Sequence, residues 1–197
     1  VNVSGVRPVL MVPTNSQVLK DVRITQELMT ELLGTIHPIL KDCTISTGRV
    51  SVTLNRCMAP LDDRMKQDMT IMGETEFKDV VLEPQGILRE ILVLAQVPPK
   101  AVTVSNFVMG FTCQNGRIET SPLTLQQSTN TVLTFAGSVG LDGTLKYAAE
   151  VPVTLDLVKD EKVYQYLKDA KLKLPIGGTV SKPRLDRDAF QQQVAVG

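Results

Sequence analysis

The stretch SVGLDGTLKYAAEV, residues 138–151, places the tightest constraint on the fold, because an Asp-Gly pair lies between two alternating apolar runs. This pattern is typical of a β-hairpin with a two-residue loop. A loop made only of Asp142 and Gly143 would place Leu141 opposite Thr144. Residues directly opposite on paired strands point to the same face. Each apolar row would therefore share a face with the polar residues of the other strand, which argues against the two-residue loop.

A three-residue loop, Leu141-Asp142-Gly143, brings the two apolar rows together. The predicted pairs are Val139 with Leu145, Gly137 with Tyr147, Phe135 with Ala149, and Leu133 with Val151. A one-residue slip would expose about seven large apolar side chains at roughly 1.5–3 kcal/mol each, a loss comparable with the stability of a whole domain. We therefore predict positive φ at Gly143, a Tyr147 ring that covers Gly137, and an outer face with Lys146 and Glu150.

Two apolar helices are predicted, over residues 24–40 and 84–96. The face of the first repeats every four residues: Ile24, Leu28, Leu32, Ile36 and Leu40. Thr25 is the expected N-cap, and Pro38 is expected to kink or end this helix near Ile36 or His37. The second helix follows Pro84 and is apolar on most sides, which indicates that it is largely buried.

Most of the remaining chain alternates between apolar and polar residues, as β-strands do. In the first half we expect an edge strand over 5–14, a turn at Thr47–Gly48 with a strand after it, and one long or two short strands over 65–82 with Phe77 and Val81 on the same side. In the second half we expect a four-strand meander over 101–157 with reversals at 114–116 and 128–130, a short helix over 159–171 and a final strand over 172–185. Gly116 and Gly143 are the expected turn glycines, and Gly137 is the one that faces Tyr147.

The predicted fold class is α+β: a curved, mainly antiparallel sheet with the two apolar helices on one face and a short third helix near the C-terminus. Residues 1–197 are interpreted as one domain. A helix followed by strands occurs twice, which suggests a weak internal duplication with halves 1–83 and 84–197. Because the sequence begins Val-Asn and stops shortly after DRDAFQQQVAVG, we expect it to be a piece of a longer chain.

The composition excludes several classes of function. The 21 basic and 21 acidic residues balance, and the chain has three Tyr, five Phe and no Trp, so nucleic-acid binding has little support. No apolar run is long enough to cross a bilayer. The single histidine, His37, precedes a proline, where a structural role is favoured over catalysis. We therefore predict no enzyme activity, no cofactor and no metal site.

The other chemically active residues have simpler explanations. Cys43, Cys57 and Cys113 lack the spacing of metal ligands and are interpreted as buried residues, with a Cys43–Cys57 disulfide as the alternative in an oxidising compartment. The paired aspartates at 62–63 and at 186 and 188 are interpreted as loop or cap residues. Gly177-Gly178 lies in a strand pattern and lacks the helix and Lys-Ser/Thr of a phosphate loop.

Both faces of the stretch VTVSNFVMGFTC, residues 102–113, are apolar. A central strand covered on both sides, or a bulge near Asn106 that swaps the faces, explains this pattern. The alternative is a groove for acyl chains, with Met109 as an adaptable contact. The residues assigned to that lipid groove are Phe107, Met109, Phe111, Phe135, Tyr147, Leu88 and Leu92.

Residues 102–188 resemble the C-terminal region of AsmA-like envelope proteins, through the segments NGRI, PLTL, FAGSVGLDGTLKY and LPIGGTVSKPRLD. The resemblance implies a β-rich, non-catalytic domain in the periplasm, anchored to the membrane through parts outside this chain and involved in lipid transport or outer-membrane homeostasis. The implied partners are lipid or other segments of the same larger protein. A structural or protein-interaction module without a ligand of its own is the alternative.

Overall fold

The computed structural model describes residues 9–104, 107–129 and 131–196. In the described residues, strands account for more of the chain than helices do. Eleven strands form one sheet, and every strand pair in the described ranges is antiparallel. This confirms the α+β class with a mainly antiparallel sheet.

The strands are β1 Val9–Val12, β2 Ser16–Arg23, β3 Thr44–Pro60, β4 Thr70–Glu83, β5 Val102–Val104, β6 Phe107–Gln114, β7 Arg117–Ser128, β8 Thr131–Gly140, β9 Leu145–Pro152, β10 Lys171–Thr179 and β11 Lys182–Leu185. The α-helices are α1 Gln26–Leu28, α2 Gly34–Ile36, α3 Gly86–Leu94, α4 Leu155–Val158, α5 Glu161–Leu167 and α6 Arg187–Val196. A π-helical turn over Met29–Leu33 joins α1 to α2, and 3₁₀ turns cover Pro38–Leu40 and Asp63–Asp68.

The sheet runs in the order β1-β3-β4-β5-β7-β8-β9-β10-β11, with β2 also on β3 and β6 between β4 and β7. Strands β6 to β9 form the predicted meander, with one reversal at Asn115–Gly116 and another between Ser128 and Thr131. The sequence did not indicate β2 or α4, and the single final strand that it predicted is in fact two antiparallel strands, β10 and β11, joined by a turn at residues 180–181. These elements are short or lie at a sheet edge, where little burial imposes a periodic pattern.

The β8–β9 hairpin has the predicted register. Val139 pairs with Leu145, Gly137 with Tyr147 and Phe135 with Ala149. The Gly143 amide donates to the Gly140 carbonyl at 2.8 Å, the Gly140 amide donates to the Thr144 carbonyl at 2.8 Å, and Gly143 has a φ of 82°. The three-residue loop is therefore the one that the chain uses.

Irregularities within the strands correct two predictions. Thr47–Gly48 does not form a turn, because strand β3 continues through it with a register shift and Gly48 at a φ of 144°. Asp79 in β4 has a φ of 50°, and the alternation of buried residues shifts by one position there. Phe77 is the last buried residue before Asp79, and Val80 is the first one after it. The prediction that Phe77 and Val81 share a face is therefore wrong, because a bulge reverses the alternation. The predicted bulge near Asn106 lies outside the described residues.

The N-terminal helical segment (residues 26–40) begins as predicted, with the Thr25 hydroxyl accepting from the Leu28 amide at 3.2 Å. Its final turn also breaks at His37, before Pro38. The π-helical turn shifts the buried stripe by one position, so Met29 and Leu33 are buried and Leu28 and Leu32 are only partly buried. A regular four-residue spacing cannot predict that shift, because a π turn takes up an extra residue.

Helix α3 is shorter than predicted and contributes four fully or almost fully buried side chains: Ile87, Leu88, Ile91 and Leu92. These side chains and those of the N-terminal helical segment belong to one hydrophobic core cluster with strands β3 to β10. Phe190 of α6 joins the same cluster. The core therefore includes residues from both halves of the chain.

Candidate functional site: a buried polar cluster beside a groove

The seven residues assigned to the lipid groove lie in or against the hydrophobic core. Leu88, Leu92, Met109 and Phe135 are fully buried. Phe111 and Tyr147 are almost fully buried, and Phe107 is partly buried and packs against the cluster. The structure thus brings the predicted set together on one side of the sheet but in contact with other core side chains. Binding of an acyl chain among them remains a prediction.

Tyr147 approaches the sheet closely because the residue opposite it is a glycine. A Cβ on Gly137 would lie 2.6 Å from the Tyr147 Cα and 2.8 Å from its Cγ. The same arrangement recurs on β6, where the Phe111 ring occupies the space of a side chain on its partner Gly73. Each ring covers the backbone of a facing glycine, which buries the aromatic carbon and shields the strand.

The Tyr147 ring crosses β8 toward strand β7. Thr120 pairs with Gly137 on the other side of β8, so Tyr147, Gly137 and Thr120 form one row across three strands. His37, at the end of the N-terminal helical segment, packs over this row with its ring centroid 5.2 Å from that of Tyr147 and 6.5 Å from that of Phe135. His37, Thr120 and Tyr147 are hereafter the polar cluster.

The polar atoms of the cluster have no hydrogen-bond partner among the described protein atoms. They are both ring nitrogens of His37, the Tyr147 hydroxyl and the Thr120 hydroxyl. Leaving a buried polar group unpaired costs about 1–3 kcal/mol. Several such atoms together in an apolar core need an explanation, because buried polar groups are normally paired.

Burial keeps the cluster uncharged. Desolvation lowers the pKa of His37 to about 3, so the imidazole is neutral at pH 7. Desolvation also raises the pKa of Tyr147 to about 12, although the nearby Thr120 hydroxyl and Arg117 oppose this shift. Tyr147 and Thr120 therefore face each other, but their hydroxyls do not meet with hydrogen-bond geometry. The cluster offers neutral donors and acceptors only.

A groove of about 390 Å³ opens between the N-terminal helical segment and the hairpin ends. Its apolar floor comes from Ile118 and Val139, and its helical side from Thr30, Gly34 and Thr35. Glu31 and Lys41 stand on the same side with opposite charges. The volume falls within the range of about 300–1,000 Å³ that small-molecule sites occupy.

The predicted turn glycines shape one end of this groove. Gly116 and Gly143 have φ values of 71° and 82°, and each lies at the tip of a hairpin. The Leu141 amide donates to the Gly116 carbonyl at 2.8 Å, and the Val180 amide donates to the Gly143 carbonyl at 2.9 Å. These bonds tie three loop tips together, so that Leu141, Gly143 and Val180 form the end wall of the groove.

The groove and the polar cluster lie next to each other on the same face. Ile118 and Val139 are paired across β7 and β8, and Thr120 and Gly137 form the neighbouring inward-facing pair. Residues two apart on a strand are separated by about 6.6 Å. The floor of the groove and the cluster are therefore neighbouring rows of side chains on one face of the sheet.

The sequence alone missed most of this site. The predicted hairpin register already placed Tyr147 opposite Gly137, and this pairing was enough to predict where the Tyr147 ring lies. The contact between His37 and Tyr147 joins residues far apart in the chain. Periodicity describes only local patterns, so it carries no signal for this contact.

The three cysteines are free and buried. Cys43 precedes strand β3 and Cys57 lies near its end, so an extended strand keeps them some tens of ångströms apart. This geometry excludes the alternative of a Cys43–Cys57 disulfide. Cys57 on β3 and Cys113 on β6 both pair with Ile71 on β4, one from each side. Two strand spacings, about 10 Å, therefore separate the two cysteines, which is also too far for a disulfide.

Within the described ranges, no group of three or more His, Cys, Asp or Glu side chains is placed to hold a metal ion. No helix in that part of the chain combines the length and the apolarity needed to cross a membrane. No protein-family model, curated protein or solved structure matches the chain.

Proposed function

We propose that the chain is a non-catalytic, periplasmic domain of an AsmA-like envelope protein that binds lipid and contributes to lipid transport or outer-membrane homeostasis. The observation that carries the proposal is the groove between the N-terminal helical segment and the inner face of the sheet, with a floor formed by Ile118 and Val139. Apolar concave surfaces of this size are suited to part of a lipid molecule.

In this proposal, the sheet is curved and the two helical regions pack on its apolar face. Backbone irregularities support the curvature, because they occur on neighbouring strands at Asp21, Gly48 and Asp79. Bulges bend a strand and increase its twist. The shared core cluster of the N-terminal helical segment, α3 and the strands supports the packing.

The segments that resemble AsmA-like proteins form one continuous part of the sheet. Residues 102–188 include strands β5 to β11, in which NGRI forms the β6–β7 turn and its continuation into β7, and FAGSVGLDGTLKY lies in the β8–β9 hairpin. This arrangement supports the resemblance at the level of strands and turns. In the proposal, anchoring to the envelope membrane comes from regions outside this chain, and nucleic acid is not a partner.

Native mass spectrometry of the protein purified from cells tests lipid binding. We expect the folded protein to carry adducts whose masses match lipids. These adducts should disappear when the protein is denatured before extraction. A folded preparation that carries no lipid adduct, even after incubation with an envelope lipid extract, would contradict the proposal. A point variant with a filled groove, Thr35→Trp, is the matched control, because Thr35 is exposed on the groove wall and lies outside the core.

A structural or protein-interaction module is the second candidate, and two observations favour it. The residues assigned to the lipid groove are packed in the core. Strand β1 is at the end of the sheet order, and Val9, Leu10 and Met11 are 42%, 51% and 68% exposed. Apolar edge strands without charges are prone to pair with other strands.

If the chain is an interaction module of this kind, Met11→Lys should reduce its concentration-dependent association in sedimentation velocity. An unchanged sedimentation profile would contradict this candidate.

A further inference from the structure

We infer that the polar cluster and the groove form one site for a neutral amphiphile, with its hydroxyl or carbonyl end at His37, Thr120 and Tyr147 and its apolar chain over Ile118 and Val139. This inference rests on the proposed lipid-binding function and specifies the chemical class of the ligand.

The first argument is the pairing of buried polar atoms. His37 has no exposed surface, and neither of its ring nitrogens has a partner among the described residues. The Tyr147 hydroxyl and the Thr120 hydroxyl are also buried and also have no partner among the described residues. A ligand oxygen accepts a hydrogen bond from one of these hydroxyls, and a ligand hydroxyl donates to the free imidazole nitrogen. One small polar group therefore satisfies several buried atoms at once.

The second argument is charge. The cluster consists of uncharged groups, and the cation near Tyr147, Arg117, already donates its hydrogen bonds to Ser138 and Thr144. Burying an unpaired ionised group costs far more than burying a hydroxyl that is hydrogen-bonded. The charged residues of the groove, Glu31 and Lys41, stand at its helical rim and have opposite signs. The site therefore favours an alcohol, ester or other neutral polar end over an anionic one.

The third argument is position. The Ile118–Val139 pair on the groove floor is next to the Thr120–Gly137 pair of the cluster. The His37 ring packs on this second row beside Tyr147, and Thr35, two residues before His37, lines the groove. If the apolar chain of a ligand lies in the groove, its inner end is beyond Val139 and one residue row away from the cluster.

The test uses two probes with the same chain length, 1-octanol and octanoate at pH 7, titrated into the ¹⁵N-labelled protein. We expect 1-octanol to shift the amide resonances of Gly137, Val139 and Tyr147. We expect octanoate to bind at least about 10-fold more weakly, because it is ionised at this pH. Equal binding of the two probes, or shifts from 1-octanol confined to other parts of the chain, would overturn the inference.

Three variants separate the cluster from general effects on the core. Tyr147→Phe and Thr120→Val each remove one hydroxyl and should weaken 1-octanol binding by about 3- to 10-fold, the value of a hydrogen bond. Thr75→Val is the matched control, because its hydroxyl is also buried and unpaired, but it lies two strands from Thr120. It should leave the affinity unchanged within about 2-fold.

Wild-type affinity in both cluster variants would show that the cluster holds an internal water only and would overturn the inference. Thr120→Val keeps the test decisive if Tyr147→Phe fails to fold, because Thr120 is only partly buried. Lipid adducts in native mass spectrometry without 1-octanol shifts at the cluster would leave the proposed function standing and overturn this inference alone.

Discussion

At the scale of single residues, Gly143 shows how one position fixes the β8–β9 hairpin. A Cβ on Gly143 would meet no atom within 4 Å, so the cost of a side chain there comes from the φ of 82° alone. Gly143→Ala should therefore reduce the free energy of unfolding by about 1 kcal/mol. Gly177→Ala is the control, since it also has open space but no positive φ. Urea melts that show equal losses for both would contradict the assigned turn.

His37 gives the folded protein a predictable dependence on pH. Its pKa is about 3 in the folded state and 6.5 in the unfolded reference. Below pH 6.5 the unfolded chain therefore binds a proton that the folded chain does not bind. The stability is fully present above that pH and falls by about 1.4 kcal/mol per unit as the pH decreases toward 3.

Between pH 7 and pH 5, this effect predicts a loss of about 2 kcal/mol in the free energy of unfolding. His37 is the single histidine of the chain, so other side chains contribute little in this interval. His37→Phe keeps an aromatic ring beside Tyr147 and should make the urea midpoint nearly constant over the same range. A parallel decline in the wild type and the variant would show that His37 is not the cause.

At the scale of elements, helix α6 closes the edge of β10 with a side chain. The Gln193 amide donates to the Lys173 carbonyl at 2.7 Å and accepts from the Lys173 amide at 2.9 Å. These are the two bonds that a further strand would make. The next edge position along β10, Pro175, has no amide hydrogen, and its carbonyl accepts from the Asp186 amide at 3.0 Å.

Gln193→Ala should therefore accelerate hydrogen exchange at the Lys173 amide by about 10-fold and reduce the free energy of unfolding by about 1 kcal/mol. Gln192→Ala, at an exposed position of the same helix, is the matched control and should change neither quantity. Unchanged exchange at Lys173 in Gln193→Ala would show that another group protects this edge.

The elements also show which structural features a sequence can predict. The hairpin register, the Thr25 cap and the break of the helix before Pro38 depend on neighbouring residues, so local chemistry was sufficient. The buried stripe at Met29 and Leu33 depends on a π turn, which the regular spacing does not indicate. In the candidate site, the turn glycines were predicted, but the position of His37 depends on how the N-terminal helical segment packs on the sheet.

At the scale of the whole molecule, strand β4 connects the two halves that the sequence suggested. Residues 70–83 belong to the first half, yet β4 pairs with both β5 and β6 of the second half. The hydrophobic core cluster also contains residues from both halves. Separate unfolding would break these pairs and expose the shared core, so we expect the halves to unfold together.

The three buried cysteines provide a test of this cooperativity. Cys43 and Cys57 lie in the first half, and Cys113 lies on β6 in the second half. Burial also raises the pKa of the Cys43 thiol to about 11, which makes it unreactive in the folded protein. Pulse labelling with iodoacetamide along a urea gradient, read by peptide mass spectrometry, should give one midpoint for all three thiols. Labelling of Cys113 at a clearly lower urea concentration than Cys43 and Cys57 would mean that the second half opens independently, and the β4 pairs would then contribute little to stability.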